Sequence, residues 1–283
     1  MKELLNISKE LYGSKLVLSK IKKIEYKNYD NAPSVKLVLF GTEKYIINGR
    51  PYSLSENRFL VVDNNSQIEL NMDAEKDVKG VCIFPSKRLL NDVAITRVSS
   101  TESLLDQPFQ DYNQRLVHSL FSFTDTRTGK FLNQNIPRVL SACKQRKQIN
   151  LDHFYVQLAE CLVDDQLELQ GNLKNIASVK KSTQEELFRR VTTAKDFIVD
   201  NYTQNILLDD LAQVALLSKY HFNRTFKALF QLSPYQYLLQ LRLDKAKELL
   251  RQDYSYNEVS SRVGFSDGKN LRKTLKRMES SSN

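Results

Sequence analysis

Ser218-Lys219-Tyr220-His221-Phe222-Asn223-Arg224-Thr225-Phe226-Lys227 holds, in ten residues, a helix cap, an apolar stripe and a row of hydrogen-bonding and cationic side chains. Ser218 is a natural N-cap, and Phe222, Phe226 and Leu229 recur at i, i+4 and i+7, which makes one helix face apolar. The opposite face carries Tyr220, Asn223, Arg224 and Lys227. A helix lying in a DNA major groove needs that set, because base edges and phosphates must be met from the same face. Arginine and asparagine have the fork geometry for guanine and adenine, and tyrosine offers an apolar surface to a thymine methyl. Upstream, Asp209 to Ala215 reads as a shorter helix, and a tight turn at Leu216-Leu217 would set it across the first, forming a helix-turn-helix.

The pattern returns. Ser255 and Glu258 form a capping box for a short helix through Val263, and Gly264-Phe265-Ser266 makes the turn, where glycine accepts positive φ. A second basic helix follows from Gly268 to Arg277. Between the units, Ser233-Pro234 starts a helix to about Arg251, proline being favoured at the first helical position. Its apolar residues fall on two stripes, with Leu239, Leu243, Ala246 and Leu250 on one and Leu238, Leu241 and Leu249 on the other. Such a rod spans roughly 27 Å at about 1.5 Å per residue. It could hold two recognition helices near one DNA turn apart, on the order of 34 Å.

The pattern Leu211-Ala212, Ser218, Phe222-Asn223-Arg224, Phe226-Lys227, Ser233-Pro234-Tyr235, Arg242-Leu243, Ala246, Leu249-Leu250, Glu258-Val259 and Gly264-Phe265 resembles the DNA-binding domain of AraC/XylS-type regulators. The resemblance covers about the last hundred residues. It implies base readout by Tyr220, Asn223 and Arg224 in the first unit and by Gly268, Lys269, Asn270 and Lys273 in the second. Ser218, Lys219, Lys227, Arg272, Lys276 and Arg277 are expected at phosphates, with Lys273 also able to serve there. Four features depart from the family pattern. Gln231 replaces a usual glycine, Ser260 a usual alanine, Leu271 and Leu275 stand where aromatics pack, and the sequence stops at Asn283 without a closing Gly-x-x-Pro helix. These departures predict a second unit that is either less well packed or bound to DNA more through charge than through base contacts.

The charge distribution agrees. The 283 residues carry a formal net charge of +9. From Lys219 to Arg277 there are thirteen basic against five acidic side chains, so nearly all the excess lies in this last quarter and favours a polyanionic partner. Cys82, Cys143 and Cys161 are odd in number and outside CxxC spacing, which suggests neither a disulfide framework nor a zinc site and fits a reducing cytoplasm. No apolar run is long enough to cross a bilayer, and no signal-peptide core is expected at the start.

Residues 1 to about 85 alternate like short strands: Leu16–Leu18, Ile21–Tyr26, Val35–Phe40, Tyr45–Ile47, Arg58–Val62, Gln67–Leu70 and Val78–Phe84. Asn48-Gly49 is a type I′ hairpin signal. Many short strands with tight turns suggest a barrel or sandwich, and the resemblance implies a cupin-like barrel. Its interior could hold a ligand among Phe40, Tyr45 and Phe59, or be filled by them, and filling is expected in a barrel this small. A metal-dependent cupin enzyme needs several converging histidines. The only histidines are His118, His153 and His221, none of them between Leu16 and Phe84, so no metal, no cofactor and no enzymatic activity are expected. His118 and His153 are read as surface or locally bonded residues in helical stretches, and His221 as solvated or near a phosphate.

Helices are expected from about Pro85, over Asp111 to Ser122 with Leu116, Leu120 and Phe123 at helical spacing, and over Leu151 to Leu169. Thr124 to Gly129 reads as a turn between helices. The stripe Leu151, Tyr155, Leu158, Leu162 and Leu169, widened by Phe154 and Cys161, would bury a face in the core or, as the resemblance implies, in a homodimer. Ser182-Thr183-Gln184-Glu185 is expected to cap the next helix, with Leu187, Val191, Ala194 and Ile198 inward. The expected fold is α+β: a cupin-like β-barrel with a helical subdomain over 1–170, a linker over 171–182, and an all-α domain with two helix-turn-helix units over 183–283. Expected partners are double-stranded DNA, RNA polymerase, a second copy, and a small-molecule effector or protein regulator.

Overall fold

The computed structural model describes residues 2–7, 12–29, 32–99, 115–145, 150–176 and 181–280. The chain divides into two compact units, Met1–Glu168 and Leu169–Asn283.

The first unit is an antiparallel sheet of eight strands: β1 Lys2–Ile7, β2 Lys15–Asn28, β3 Ser34–Phe40, β4 Thr42–Ile47, β5 Arg50–Ser55, β6 Arg58–Val62, β7 Ile68–Phe84 and β8 Ser119–Ser122. The order is β1-β2-β7-β3-β6-β8, with β4 pairing both β5 and β7. β5 also lies against β3 and β6, so the sheet curls into a nearly closed barrel. Register shifts between Ile21 and Lys23, and between Val38 and Phe40, bend the long strands at the places where closure requires it. The Asn48-Gly49 turn has φ of 50° and 75°, as a type I′ hairpin demands.

Strand alternation sends successive side chains to two different cores. Val35, Leu37, Phe59, Val61, Val81 and Ile83 face outward beneath three helices, while Val38, Tyr45, Ile47, Leu60, Val62 and Val78 fill the barrel. Strands buried on both faces read as continuous apolar runs, which is why Arg58–Val62 shows little alternation. Phase also corrects the expected interior. Only Tyr45 points inward; Phe59 stacks on Phe121 at 5.5 Å under the helices, and Phe40 is 47% exposed just past the second register shift.

The covering helices are α1 Lys87–Val98, α2 Arg127–Lys144 and α3 Asp152–Lys174. Tyr155, Leu158 and Leu162 of α3 are buried in the unit's own core. The helix expected over Asp111–Ser122 is not formed over 115–122: residues 115–118 are irregular and 119–122 form β8, paired with β6. Residues 111–114 lie outside the described residues. Pairing across some sixty residues decides this segment, and Leu116, Leu120 and Phe123 mimic helical spacing without forming a helix. His118 therefore stands in irregular chain rather than a helix, although it is locally bonded: Nδ1 accepts the Asp63 N–H at 3.0 Å. Burial, with Arg115 and Arg50 nearby, lowers its pKa to about 4. His153 is exposed in the first turn of α3. Thr124 to Gly129 joins a strand to a helix rather than two helices, and Thr126 caps α2 by accepting the Gly129 N–H at 2.9 Å.

The second unit holds α4 Lys181–Asn201, α5 Leu208–Val214, α6 Lys219–Phe230, α7 Pro234–Leu250, α8 Tyr256–Val263 and α9 Gly268–Ser280. α3 continues to Lys174, into the segment expected as linker, and 177–180 lie outside the described residues. α4 starts at Lys181, so Ser182 to Glu185 occupy its first turn instead of preceding it. Leu187, Val191, Ala194 and Ile198 are buried, and α4 packs against α5, α6 and α7.

Among the described residues no helix is long and apolar enough to cross a membrane.

Candidate nucleic-acid interface

α5 and α6 form the first helix-turn-helix. Asp210 closes the start of α5 by accepting the Leu207 N–H at 2.9 Å. The turn is made by Leu216 at φ 53°, and the Leu217 N–H returns to the Ala212 carbonyl at 2.9 Å. A leucine in left-handed backbone costs roughly 1–2 kcal/mol. Ser218 then caps α6, its hydroxyl oxygen accepting the His221 N–H at 3.3 Å.

Phe222, Thr225, Phe226 and Leu229 are buried on the inner face of α6. Phe226 meets Phe222, Phe230 and Tyr237 edge-on at 5.6, 4.7 and 5.8 Å, and Lys195 of α4 lies 5.2 Å over Phe230. That aromatic block fixes the rotation of α6 and so decides which residues face out. Tyr220 is 75% exposed, and Asn223, Arg224 and Lys227 are exposed beside it. These four line a shallow depression of about 440 Å³ with Ala228, Gln231 and Asn175, the last from the end of α3. Lys219 is exposed but ion-paired to Asp209 at 2.5 Å, so part of its charge is already answered. His221 is exposed.

Gln231 ends α6 at φ 59°. The structure thereby explains the departure at this position: left-handed backbone suits glycine, and glutamine is kept there with its amide donating to the Ala228 carbonyl at 3.0 Å. Ser233 and Gln236 form the capping box of α7, and Pro234 occupies its first turn.

α7 has 17 residues, about 26 Å at 1.5 Å per residue. It divides itself along its length as well as around its circumference. Tyr237 near its start joins the aromatic block of the first lobe, while Leu239, Leu243, Ala246, Leu249 and Leu250 belong to the second lobe's core. Leu249 thus sits with the second lobe and not on the stripe of Leu238 and Leu241, since the far end of the rod has only that lobe to pack against. Arg242 is the cross-strut: Nε donates to the Tyr202 carbonyl and Nη2 to the Gln204 carbonyl, each at 2.7 Å.

α8 and α9 form the second helix-turn-helix. Ser255 and Glu258 cap reciprocally, with the Ser255 N–H on the Glu258 carboxylate at 2.9 Å. The Ser255 hydroxyl and backbone bonds hold the Glu258 carboxyl below its ordinary range. Ser260, where alanine is usual in the resemblance, is buried with its hydroxyl donating to the Asn257 carbonyl at 2.8 Å, so the polar group is satisfied. Gly264 ends α8 at φ 81°, and a Cβ there would stand 2.6 Å from the Thr203 carbonyl and 2.9 Å from the Arg242 guanidinium. No other residue fits both the backbone and the space. Asp267, which sequence reasoning passed over, anchors the start of α9 by accepting the Asn270 N–H at 2.7 Å, and that bond is the largest cause of its lowered pKa. The signal was an aspartate just ahead of a basic helix.

Leu271 and Leu275 are buried with Val259, Val263, Leu243 and Ala246, so leucine completes this core where aromatics are usual. Of the two alternatives the departures raised, looser packing is not what these leucines show. Lys269, Asn270, Arg272, Lys273, Lys276 and Arg277 are exposed on α9, with Arg272 lying 5.7 Å over the Tyr256 ring. Gly268 is not among them: it is buried where a Cβ would run into Asn257 and Tyr256. Its place in the pattern coincides with the closest approach of α9 to α8.

The family model for a helix-turn-helix domain matches residues 211–282, which are these two units and the rod between them. The uncharacterised HTH-type regulator YbfI of Bacillus subtilis is 33% identical over 72 residues, 25% of this chain and 26% of that one. The HTH-type transcriptional activator RhaS of Shigella dysenteriae is 23% identical over 244 residues, 86% of this chain and 80% of the relative. Residues 211–282 are thus similar to the helix-turn-helix domain of AraC/XylS-type regulators. The chain spans only about a quarter of YbfI's length, the part that carries the helix-turn-helix units. Among solved structures, ToxT of Vibrio cholerae aligns over 93% of each chain at 9% identity with a TM-score of 0.34.

Proposed function

We propose that this protein is a sequence-specific DNA-binding transcription regulator of the AraC/XylS type, acting as an activator. The observation that carries the reading is the pair of capped, fully cored helix-turn-helix units whose outward faces are cationic and hydrogen-bonding, joined by one helix strutted through Arg242. In this reading Tyr220, Asn223 and Arg224 read bases in one major groove and Lys269, Asn270 and Lys273 in the next. Gly268 serves by admitting α8 close to α9. Ser218, Lys219, Lys227, Arg272, Lys276 and Arg277 hold phosphates, with Lys219 exchanging Asp209 for the backbone.

Domains of 1–170 and 183–283 joined over 171–182 would divide the labour. The barrel unit would take a small-molecule effector or a protein regulator and support a homodimer, and the helical unit would bind DNA and meet RNA polymerase in the cytoplasm. Retention of fragmented genomic DNA by the purified chain, followed by sequencing, tests the reading. Enrichment of a common motif with affinity falling steeply between low and moderate salt is the expected result. Retention without any motif would leave only charge and would overturn sequence-specific regulation.

A further inference from the structure

Inside the barrel lies a polar pair that DNA binding does not use. Lys36 of β3 is directly opposite Cys82 of β7 in the strand register, and its Nζ donates to the Cys82 Sγ at 3.2 Å. Lys36 is only 9% exposed, an unusual site for an ammonium group, which is costly to bury without a countercharge. It lies 5.4 Å over the rings of Tyr45 and of Phe84, and among the described residues it forms no ion pair with a carboxylate.

Next to it Glu43 is buried, accepting the Tyr45 O–H at 2.6 Å. Gly80 leaves the carboxyl its room, since a Cβ there would stand 2.8 Å from Oε1. The strands therefore hold an amine and a thiol in contact, with a proton acceptor close by. Cys82 is partly buried, and burial pushes its thiol pKa up.

We propose that Lys36 and Cys82 are an oxidative cross-linking site, joined by hydrogen peroxide through a single oxygen as Nζ–O–Sγ, which staples β3 to β7. In the first step the Cys82 S–H bond and the peroxide O–O bond break, an S–O bond forms, and one water leaves, giving the sulfenic acid. In the second, Lys36 enters as the free amine, its ammonium proton having left to solvent base. The sulfenic O–H and one N–H break, an N–O bond forms, and a second peroxide takes up the two electrons and leaves as two waters. The spacing favours the bridged product: one inserted oxygen spans most of the 3.2 Å gap, whereas a direct S–N bond would draw the two strands much closer together. The other cysteines serve as controls, because Cys143 and Cys161 have no lysine as a hydrogen-bond partner among the described residues.

The test is peptide mapping by mass spectrometry, without reductant, of the full chain treated with hydrogen peroxide. The expected product is a Lys36 peptide joined to the Cys82 peptide and heavier by about 14 Da than the two together, one oxygen gained and two hydrogens lost, and released by dithiothreitol. It should persist in Cys143→Ser/Cys161→Ser and vanish in Cys82→Ser and Lys36→Arg. Should either of the last two fail to fold, the mapped mass in the Cys143→Ser/Cys161→Ser chain decides alone. Stepwise oxygen adducts on Cys82 without a cross-link, a direct S–N link about 2 Da lighter, or a disulfide at Cys82 would each overturn the proposal.

Discussion

Replacing Arg224 by alanine separates the recognition surface from the fold beneath it. Arg224 is exposed on α6 and makes no hydrogen bond or ion pair among the described residues, while the face below it is held by Phe222, Phe226 and Leu229. Its removal should move stability by no more than about 0.5 kcal/mol, as for a surface side chain away from caps and core. A bidentate arginine–guanine contact discriminates by about 1–3 kcal/mol, roughly 5-fold to 150-fold in affinity. The assay is titration of labelled operator, once selected, with each base substituted in turn, for wild type and variant at several salt concentrations. One position should lose its preference in Arg224→Ala, and the slope of log affinity against log salt should stay unchanged. Lys227→Ala, by contrast, should weaken all sequences alike and reduce that slope by about one. If Arg224→Ala behaves as predicted for Lys227→Ala, Arg224 touches phosphate and the assignment of its role fails.

Other positions make separate predictions. Gly264→Ala should cost at least about 2 kcal/mol by urea unfolding, since positive φ and the collision with Thr203 and Arg242 both oppose it, and a loss below about 0.5 kcal/mol would show the turn is not constrained as described. Gln231→Gly should raise stability by roughly 0.5–1 kcal/mol, relief of left-handed strain outweighing glycine's entropy, and a lower melting temperature would contradict this. His118 stays neutral in the folded chain down to about pH 4, while the unfolded chain protonates it near 6.5, so stability should decline as pH falls through that interval. That interval allows a loss of about 3.5 kcal/mol at most, less where water screens the ring, and His118→Asn, which keeps an acceptor for the Asp63 N–H, should flatten the decline.

How much could be read from the chain followed the range of the interaction that decides each element. The helix-turn-helix units were legible because caps act within three or four residues: Ser218, the Ser255–Glu258 box and Gly264 each announce a boundary locally. Asn48-Gly49 did the same for its hairpin. β8 was not legible, since only pairing with distant β6 makes 119–122 a strand, and Leu116, Leu120 and Phe123 happen to fit a helix. Pro137 obscures α2 although Leu132, Ile136 and Val139 supply its buried face. The inward or outward phase of Phe59 depends on helices that cover the barrel, which no local pattern specifies. At the interface, side-chain chemistry pointed to Arg224 and Lys273, but Gly268 has none, and its packing against Asn257 is visible only in three dimensions.

The most direct test is protection of guanine N7 and of the sugar backbone on the selected operator, read along both strands with the full chain bound. Two major-groove blocks centred about 10 base pairs apart on one side of the duplex are the predicted result, the first fading in Arg224→Ala and the second in Lys273→Ala. A single protected block that only one of these substitutions affects, or two blocks on opposite sides of the duplex, would contradict a molecule that reads adjacent grooves with α6 and α9.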